Sequence, residues 1–592
     1  MRKILLFAQM LTLVFCASIK SQAQGWPANY SGVMLQGFYW DSFDESQWTN
    51  LESQADELSG YFSLIWVPNS AYCNTLSGNM GYFPIYWFNQ TSTFGSETAL
   101  RSMIKTFKEK GTGIIEDVVI NHKAGVTNWC DFATETWNGK TISWTLADIC
   151  KNDDNGATAK KFNVTGAADT GEDFNGCRDL DHTSANVQKN VNTYLDFLKN
   201  DLGYAGFRYD FVKGYAAKYV GQYNNTAKPE FSVGECWDGN INIVKSWIDG
   251  TKVDGVIQSA AFDFPLRYSI KGAFGSGTWS ALNNKSLAAD KNYQRYAVTF
   301  VDNHDTGSSG KDGADPLYAN VEAANAYILA MPGTPCVFIS HWKSYKTAIK
   351  KLITLRRLLG INSQSEIVSA ATATGGYILN VKGTKGNALL AFGNAAPANT
   401  AGYKLAMEST AYKYYVPTST DISALDEIKD VEDPEFKIPD FCKMDEGETC
   451  AFFEAPSTWT TVYCWRWDKT GNYTTNKWPG VKCEKIGKAD NGNNVWKWSW
   501  NGNKVAQANT NEGIIFNSGN GNPQTADLPF TNGGYYATYG IKGTVTDISD
   551  ITATPATKRA GIYTLSGQRI DAASTEALPH GIYIVNGKKI AK

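Results

Sequence analysis

The chain has 592 residues, 43% hydrophobic and 19% charged, which predicts about three to five packed domains rather than a disordered chain. Its 55 basic and 58 acidic residues leave a net charge of −3, which gives no electrostatic footprint for a nucleic-acid backbone, whose binding depends on clustered Lys and Arg. Aromatic residues make up 13% of the chain, and flat rings on a nearly neutral protein favour an uncharged partner such as a sugar.

The N-terminus has the pattern of a secretory signal peptide. The basic pair Arg2-Lys3 precedes an apolar run from Ile4 to Phe15, and Ser21-Gln22-Ala23 supplies small residues for cleavage. Residues 1–24 are therefore expected to be removed on export. Cys16 follows a bulky Phe, which favours soluble export over a lipid anchor. No later segment has about 18 apolar residues without a charge, so no transmembrane segment is predicted.

Export permits disulfide bonds. Cys442/Cys450 and Cys464/Cys483 are close in sequence and are candidate pairs, but spacing alone leaves the connectivity open. The spacing of the cysteines matches no zinc motif.

Eight short apolar runs, separated by longer amphipathic stretches, predict a (β/α)8 TIM barrel of the α/β class over residues 25–360. The long gap between the third and fourth runs is rich in Gly, Asp, Asn and Thr, and predicts an excursion domain after strand 3 at residues 122–182. The runs are Gly32–Gly37, Phe62–Val67, Gly113–Ile120, Gly206–Tyr209, Phe231–Gly234, Val253–Ile257, Ala297–Val301 and Pro335–Ile339.

The rest of the chain alternates in the manner of β-strands, which predicts further all-β units. Residues 361–415 are expected to form a small C-terminal β-sandwich. Residues 416–457 are expected to be an acidic connector, since 421–448 hold eleven acidic residues and three Lys. Residues 458–542 predict a Trp-rich β-module, and residues 543–592 a last small β-unit.

Polar side chains follow four of the eight runs, at strand ends that meet at one rim of such a barrel. Three of them are carboxylates from three different strands, Asp210, Glu235 and Asp305. Hydrolysis of a glycosidic bond needs one ionised and one protonated carboxyl group. Arg208 lies on the same strand face as Asp210 and would keep it ionised, whereas the weakly polar neighbours of Glu235 would raise its pKa. A single acid at a strand end is more often a helix cap or a solvated loop residue, but four polar ends in barrel order favour an active site.

These motifs resemble the signature regions of the α-amylases of glycoside hydrolase family 13, most closely their plant-like branch, over about Gly25 to Asn394. The similar stretches are Gln36–Trp40, Asp117–His122, Arg178–His182, Gly206–Gly214, Phe231–Trp237, Phe300–Asp305 and Pro332–Cys336. The resemblance implies that Asp210 is the nucleophile, Glu235 the general acid/base and Asp305 the group that stabilises the transition state. It also implies a retaining double displacement, for which the carboxyl groups of Asp210 and Glu235 should lie about 5–5.5 Å apart.

The same resemblance implies which side chains bind the substrate around the cleaved bond. These are Tyr82 (stacking under the sugar), His122 and His304 (hydrogen-bond donors to it), Arg208 (positioning of Asp210), and Lys213 and Trp237 (the leaving-group side).

The family further implies a structural Ca²⁺ that bridges the excursion domain and the barrel. Such a hard cation takes oxygen ligands. The matching positions are the side chains of Asn121, Asp169 and Asp179 and the backbone carbonyls of Glu172 and Gly214. Animal and many bacterial members place His at the position of Gly214, while plant-type members share the Gly.

Two parts of the C-terminal region also resemble known modules. Thr461–Tyr536 is similar to starch-binding modules of carbohydrate-binding family 26. Most of its tryptophans are expected to form a core or a covering surface, and Trp478 and one of Trp465 or Trp467 are favoured as the rings that contact glucan. Gly561–Arg569 and Gly581–Val585 resemble the sorting domain that the type IX secretion machinery of gram-negative bacteria reads. A second accessory β-module is the alternative for this tail.

The sequence therefore predicts a secreted or cell-surface, monomeric, calcium-stabilised, endo-acting α-amylase of a gram-negative bacterium, acting on starch and other α-glucans. Two alternatives remain at this point: another family 13 enzyme, such as a cyclodextrin hydrolase or a glucan transglycosylase, and a non-catalytic glucan-binding surface protein. The complete set of Asp210, Glu235 and Asp305 argues against a pure binding protein.

Overall fold

The computed structural model describes residues 25–545, with gaps at 74–78, 308–310, 312, 430–437, 446, 457–458, 475–476, 490–491, 510–511, 520–522, 526 and 539, and four short strands beyond residue 545. The predicted signal peptide at residues 1–24 lies outside the described residues. Within the described part of the chain, every helix is too short or too polar to span a bilayer.

Eight parallel strands close into a barrel, as predicted, each pairing with the next and the last with the first. Nearly all of their residues are buried, as expected for a parallel sheet with a filled interior and helices outside. Strands 1 to 8 are Met34–Gln36, Leu64–Val67, Gly113–Val118, Gly206–Tyr209, Phe231–Gly234, Ala260–Phe262, Ala297–Phe300 and Thr334–Phe338.

The prediction of the sixth strand at Val253–Ile257 is wrong. Asp254 and Gly255 have φ angles of 50° and 79°, in the left-handed region that strands do not use. They form a turn in which Val253 and Val256 bond to each other. The sixth strand is instead Ala260–Phe262. It has only three residues, two of them alanine, so it does not stand out as an apolar run.

Helices cover the outside of the barrel. In Glu97–Glu109, the Ser96 side chain accepts from the N–H of Ala99 at the start, and Leu100, Ile104 and Phe107 recur on the buried face. The other helices of this part are Trp48–Ser53, Ala55–Tyr61, Ala185–Asp196, Ala217–Ala227, Ile241–Gly250, Phe264–Ile270, Val321–Ala330, Ile339–Ser344 and Lys346–Leu359.

The excursion domain after strand 3 is tied back to the barrel at its two ends. The short strands His122–Lys123 and Arg178–Asp179 pair with each other, with His122 opposite Asp179. Between them lie the hairpin of Glu135–Trp137 and Lys140–Ile142 and the helix Ala157–Phe162. The pairing places the end of the excursion domain beside the end of strand 3.

An antiparallel five-stranded sheet follows the barrel and shares its core, since Tyr377, Leu379 and Val381 are buried with barrel residues. A short helix at Ala424–Glu427 comes next in the chain. In the sheet the fifth strand pairs with the third, and the fourth strand lies at the edge. The strands, in chain order, are Glu366–Ala373, Gly376–Lys382, Asn387–Gly393, Tyr403–Glu408 and Tyr412–Pro417.

The Trp-rich module contains two sheets. In the first, Thr449–Ala455 is the central strand, antiparallel to Asn494–Trp500 and parallel to Gly534–Ala537. The chain then turns back through Gly540–Thr544, with Thr544 opposite Gly534. The remaining strands are Glu484–Lys488 in the first sheet, and Tyr463–Asp468, Gly471–Asn472, Val481–Lys482, Val505–Ala506 and Gly513–Asn517 in the second.

The module therefore starts before residue 458, the boundary that the sequence pattern predicts. The strand Thr449–Ala455 lies inside the segment interpreted as an acidic connector, and Cys442 is buried in a cluster with Phe452 and Val495. The acidic residues before this strand concealed its apolar pattern.

Beyond residue 545 the described backbone forms a four-stranded antiparallel sheet. Its strands are Ile562–Thr564, Arg569–Ile570, Ile582–Val585 and Lys588–Ala591. They overlap the stretches that resemble a sorting domain, and that role stays a prediction.

The ten described cysteines, from Cys73 to Cys483, are buried free thiols, so neither candidate disulfide is present among them. Burial raises the pKa of the Cys73 thiol to about 12 and that of Cys442 to about 12 as well. These thiols are protonated near neutral pH and are poor nucleophiles.

Candidate active site

A cleft of about 480 Å³ opens at the carboxyl ends of the barrel strands. Asp210, Glu235 and Asp305, which come from the ends of strands 4, 5 and 7, all line it. Aromatic side chains form much of the remaining wall, as in pockets that bind uncharged ligands. They are Trp40, Tyr82, Phe83, Phe174, Phe211 and Trp237.

One buried cation lies beneath the carboxylates. Arg208 is fully buried, and its Nη1 donates to Asp117 Oδ1 at 2.6 Å and to Asp210 Oδ1 at 2.8 Å. Its Nη2 lies 2.5 Å from Glu235 Oε1, an ion pair without hydrogen-bond geometry. The guanidinium therefore holds carboxylates from three neighbouring strands at fixed positions.

The environment shifts the pKa values of two of the carboxyl groups in opposite directions. Burial raises the pKa of Glu235 well above its usual value, and the nearby Asp210 and Asp305 add to this while Arg208 offsets only part of it. Burial also acts to raise the pKa of Asp305, but the neighbouring cations Lys311 and Arg208 outweigh it and the net shift is downward. Such a separation lets one carboxyl group carry a proton while another stays ionised.

Three rings next to Asp305 lie nearly parallel. The centroids of Trp40, Tyr82 and His304 are 5.6–6.2 Å apart, with interplanar angles of 17° or less. Gln36 Nε2 lies 3.0 Å from Nδ1 of His304. The other ring nitrogen, Nε2 of His304, lies 2.6 Å from the Tyr82 hydroxyl. Burial lowers the pKa of His304 to about 3, so the ring is neutral near neutral pH.

His122 also lines the cleft, but both of its ring nitrogens are engaged within the protein. Its Nε2 donates to the backbone carbonyl of Tyr82 at 2.9 Å, and its Nδ1 lies 3.2 Å from Asn121 Nδ2. The predicted donation to a sugar would therefore need this bond to Tyr82 to be exchanged.

Lys213, predicted to line the leaving-group side, does not line the cleft among the described residues. Its Nζ lies 2.8 Å from Glu172 and 3.4 Å from Asp238, and these two carboxylates hold it outside. Trp237 does line the cleft, with its ring stacked on Phe264 at 5.1 Å.

Two charged residues of the site were missed in the sequence analysis. Asp117 accepts from Tyr82 at 3.0 Å and from Trp66 at 3.2 Å, and burial raises its pKa to about 7. Asp117 lies opposite Arg208 on the adjacent strand. Aligning the two apolar runs in the sequence could have indicated this pairing. Lys311 pairs with Asp305 and lies 4.6 Å from the centroid of the Trp40 ring.

The predicted calcium ligands come together where the excursion domain meets the barrel. Asn121 Nδ2 donates to Asp179 Oδ1 at 2.9 Å. A Cβ on Gly214 would lie 2.0 Å from Asn121 Oδ1, so the backbone there approaches the side chain as only glycine permits. The side chain of Glu172 pairs with Lys213, so the backbone carbonyl of Glu172 remains as the predicted ligand of the ion.

The chemistry of this cluster fits a hard cation. Asp169 Oδ2 is buried without a hydrogen-bond partner among the described residues. Burial and the neighbouring Asp169 and Asp153 raise the pKa of Asp179 to about 9. Asp153, Asp173 and Asp179 also place ligand oxygens within 4.8 Å of one another. An excess of buried carboxylate oxygen is the donor set that Ca²⁺ takes.

In the Trp-rich module, exposure separates the tryptophans. Trp478 is 47% exposed, and its ring lies 5.8 Å from that of the half-buried Trp465. Trp467 is only 7% exposed and Trp498 is fully buried, so both belong to the core of the module. Of the two alternatives left open by the sequence, Trp465 is the one placed beside Trp478.

Comparison with known proteins gives two family matches. Residues 65–341 match the family described as the α-amylase catalytic domain, and residues 451–530 match starch-binding module 26.

Several curated relatives are similar to this chain. It is 34% identical over 356 residues to "Probable alpha-amylase 2" of Arabidopsis thaliana, covering 57% of the chain and 82% of the relative. It is 28% identical over 359 residues to "Alpha-amylase 3, chloroplastic" of the same plant, covering 57% and 38%. It is 30% identical over 391 residues to "Glucan 1,4-alpha-maltotetraohydrolase" of Roseateles saccharophilus, covering 60% and 66%.

Proposed function

Because the chain belongs to the α-amylase family and acts on α-1,4-glucan bonds, we propose that it cleaves these bonds within starch chains and with retention of anomeric configuration. The observation that supports this most directly is the shared cleft of Asp210, Glu235 and Asp305, in which the pKa of Glu235 is raised and that of Asp305 is lowered.

The proposed reaction is a double displacement. Asp210, held by Arg208, attacks the anomeric carbon while Glu235 donates its proton to the leaving oxygen. Water then hydrolyses the glycosyl-enzyme, with Glu235 acting as base. Asp305 stays ionised and is placed to hold substrate hydroxyl groups, next to the flat wall of Trp40, Tyr82 and His304.

This mechanism predicts that the first product released from soluble starch has the α configuration at its new reducing end. Proton NMR of the first minutes of digestion, before mutarotation, measures this directly. An endo-acting enzyme should also release a broad range of chain lengths early. An initial β-anomer would overturn the retaining mechanism, and a single short product from the outset would favour an exo-acting member of the family.

We propose a structural Ca²⁺ held by the side chains of Asn121, Asp169 and Asp179 and by the backbone carbonyls of Glu172 and Gly214. When bound, the ion would neutralise the buried carboxylates and so fix the excursion domain against the barrel. The orphaned Asp169 Oδ2 and the raised pKa of Asp179 support this assignment.

Removing calcium with a chelator is expected to lower the melting temperature by several degrees. A ligand at about 100 times its Kd stabilises the folded state by about 2.7 kcal/mol, and each kcal/mol shifts the melting temperature by about 2–4 °C in a domain of this size class. Differential scanning calorimetry with and without chelator measures the shift. Asp169→Asn should reduce it, whereas Asp254→Asn in an exposed turn should not. A chelator-independent melt would contradict the site.

We further propose that the starch-binding module holds glucan through Trp478 and Trp465, and that the protein is exported by its N-terminal segment and tail. The exposed Trp478 ring supports the first assignment, and the composition of residues 1–24 supports the second.

A further inference from the structure

We propose that the groove between the barrel and the starch-binding module is a further glucan-binding subsite, in which Tyr318 stacks on a sugar ring and Asp41 accepts hydrogen bonds from its hydroxyl groups. This rests on the proposed action on long α-glucans. The substrate chain held in the cleft would continue into this groove.

The groove has a volume of about 170 Å³ and walls from both parts of the chain. The barrel contributes Trp40, Asp41 and Tyr318, and the module contributes Trp459, Gln524 and Thr538. The Tyr39 hydroxyl lies 3.2 Å from Thr538 Oγ1, which fixes the module against the loop after strand 1. The subsite is therefore incomplete without the module.

The groove adjoins the catalytic cleft, since Trp40 and Asp41 line both. The Trp40 ring is nearly parallel to that of Tyr82, with 6.0 Å between their centroids. A glucan chain leaving the flat wall of the cleft past Trp40 thus meets the module directly.

The side chains of the groove suit a neutral sugar. Tyr318 is 67% exposed, the largest value among the described large hydrophobic residues, and an exposed ring offers a flat apolar face to the C–H groups of a pyranose. Gln524 supplies an amide that can both donate and accept. No Lys or Arg is among the described residues that line the groove, which disfavours an anionic ligand.

Asp41 gives the second indication of a ligand. Its carboxylate is half-buried and has no hydrogen-bond or ion-pair partner among the described residues, and burial alone raises its pKa. The residue is held at φ 67°, with its N–H directed to the sulfur of Met80. A carboxylate withdrawn from water without a partner is costly, and sugar hydroxyl groups are donors that would satisfy it.

The proposal predicts an effect that depends on substrate length, because short maltooligosaccharides fill only the cleft. In the full chain, Tyr318→Ala should lower kcat/KM by roughly 10-fold for the longer members of a maltooligosaccharide series, as expected for the loss of one stacked ring, and leave the shortest cleaved members unchanged. Tyr318→Phe keeps the ring and should keep most of the activity. Phe441→Ala is the matched control: it removes an exposed ring that lines neither the groove nor the cleft, and it should leave the length dependence of hydrolysis unchanged.

An unchanged length dependence in Tyr318→Ala, or an equal loss on short and long substrates, would overturn the subsite. If the wild-type chain hydrolyses no oligosaccharide at all, the proposed function fails separately. The subsite is then tested by calorimetric binding of oligosaccharides, in which Tyr318→Ala must weaken the affinity for the longer oligosaccharides only. Equal affinities of the wild type and Tyr318→Ala for these longer oligosaccharides would reject the subsite.

Discussion

Replacing Asp210 by Asn is expected to lower kcat on starch by at least about 10⁴-fold while the protein stays folded. An amide of the same shape still accepts the hydrogen bond from Arg208 Nη1, but it cannot form the glycosyl ester. The ion pair between Arg208 and Asp117 remains, so the buried guanidinium keeps a partner. Reducing-end assays give the rate, and calorimetry gives the melting temperature.

Asp254→Asn is the control for this substitution. Asp254 is exposed in a turn at φ 50°, a conformation that Asn also adopts readily, so both rate and melting temperature should match the wild type. If Asp210→Asn keeps its rate within tenfold of the wild type, the nucleophile must be reassigned.

Glu235→Gln should lower kcat on starch by about 10²–10⁴-fold, since it removes the proton donor. The raised pKa of Glu235 sets the sign of the pH dependence. The acid works only while protonated, so wild-type activity should fall as pH rises through this pKa. In Glu235→Gln the alkaline fall should disappear. An aryl maltooligosaccharide with a good leaving group needs no proton, so its burst of released aryl alcohol should be nearly retained.

The exposed Glu109→Gln on a surface helix serves as the matched control and should alter neither the rate nor the pH dependence. Glu235 Oε2 also accepts from the backbone N–H of Phe211 at 3.1 Å, so a purely structural role has to be separated from an acid role. An equal loss on starch and on the activated substrate would assign Glu235 that structural role.

The barrel and its carboxylates were predictable because they depend on short-range patterns. Strands 3, 4, 5 and 7 are buried runs, and the polar residues that follow a buried parallel strand must lie at the carboxyl rim. Strand 6 was not predictable in the same way. Its three residues, Ala260–Phe262, carry less apolar signal than Val253–Ile257, where the left-handed Asp254-Gly255 turn decides the conformation.

The charges around the carboxylates depend on contacts between distant segments. Lys311 reaches Asp305 from a loop, and Lys213 is drawn away from the cleft by Glu172 in the excursion domain. Neither pairing follows from spacing in the sequence. Likewise, only the packing of the module on the barrel shows that Asp41 faces a groove.

The central strand of the starch-binding module, Thr449–Ala455, has consequences for how such a protein is assembled. Ala451 lies opposite Gly534, and Gly534 lies opposite Thr544, so the first and last strands of the module are two ladder steps apart. At about 4.8 Å per step, the chain joins and departs this unit at points roughly 10 Å from each other. Flanking segments so near together would let the whole unit be gained or lost with little rearrangement of the rest of the chain.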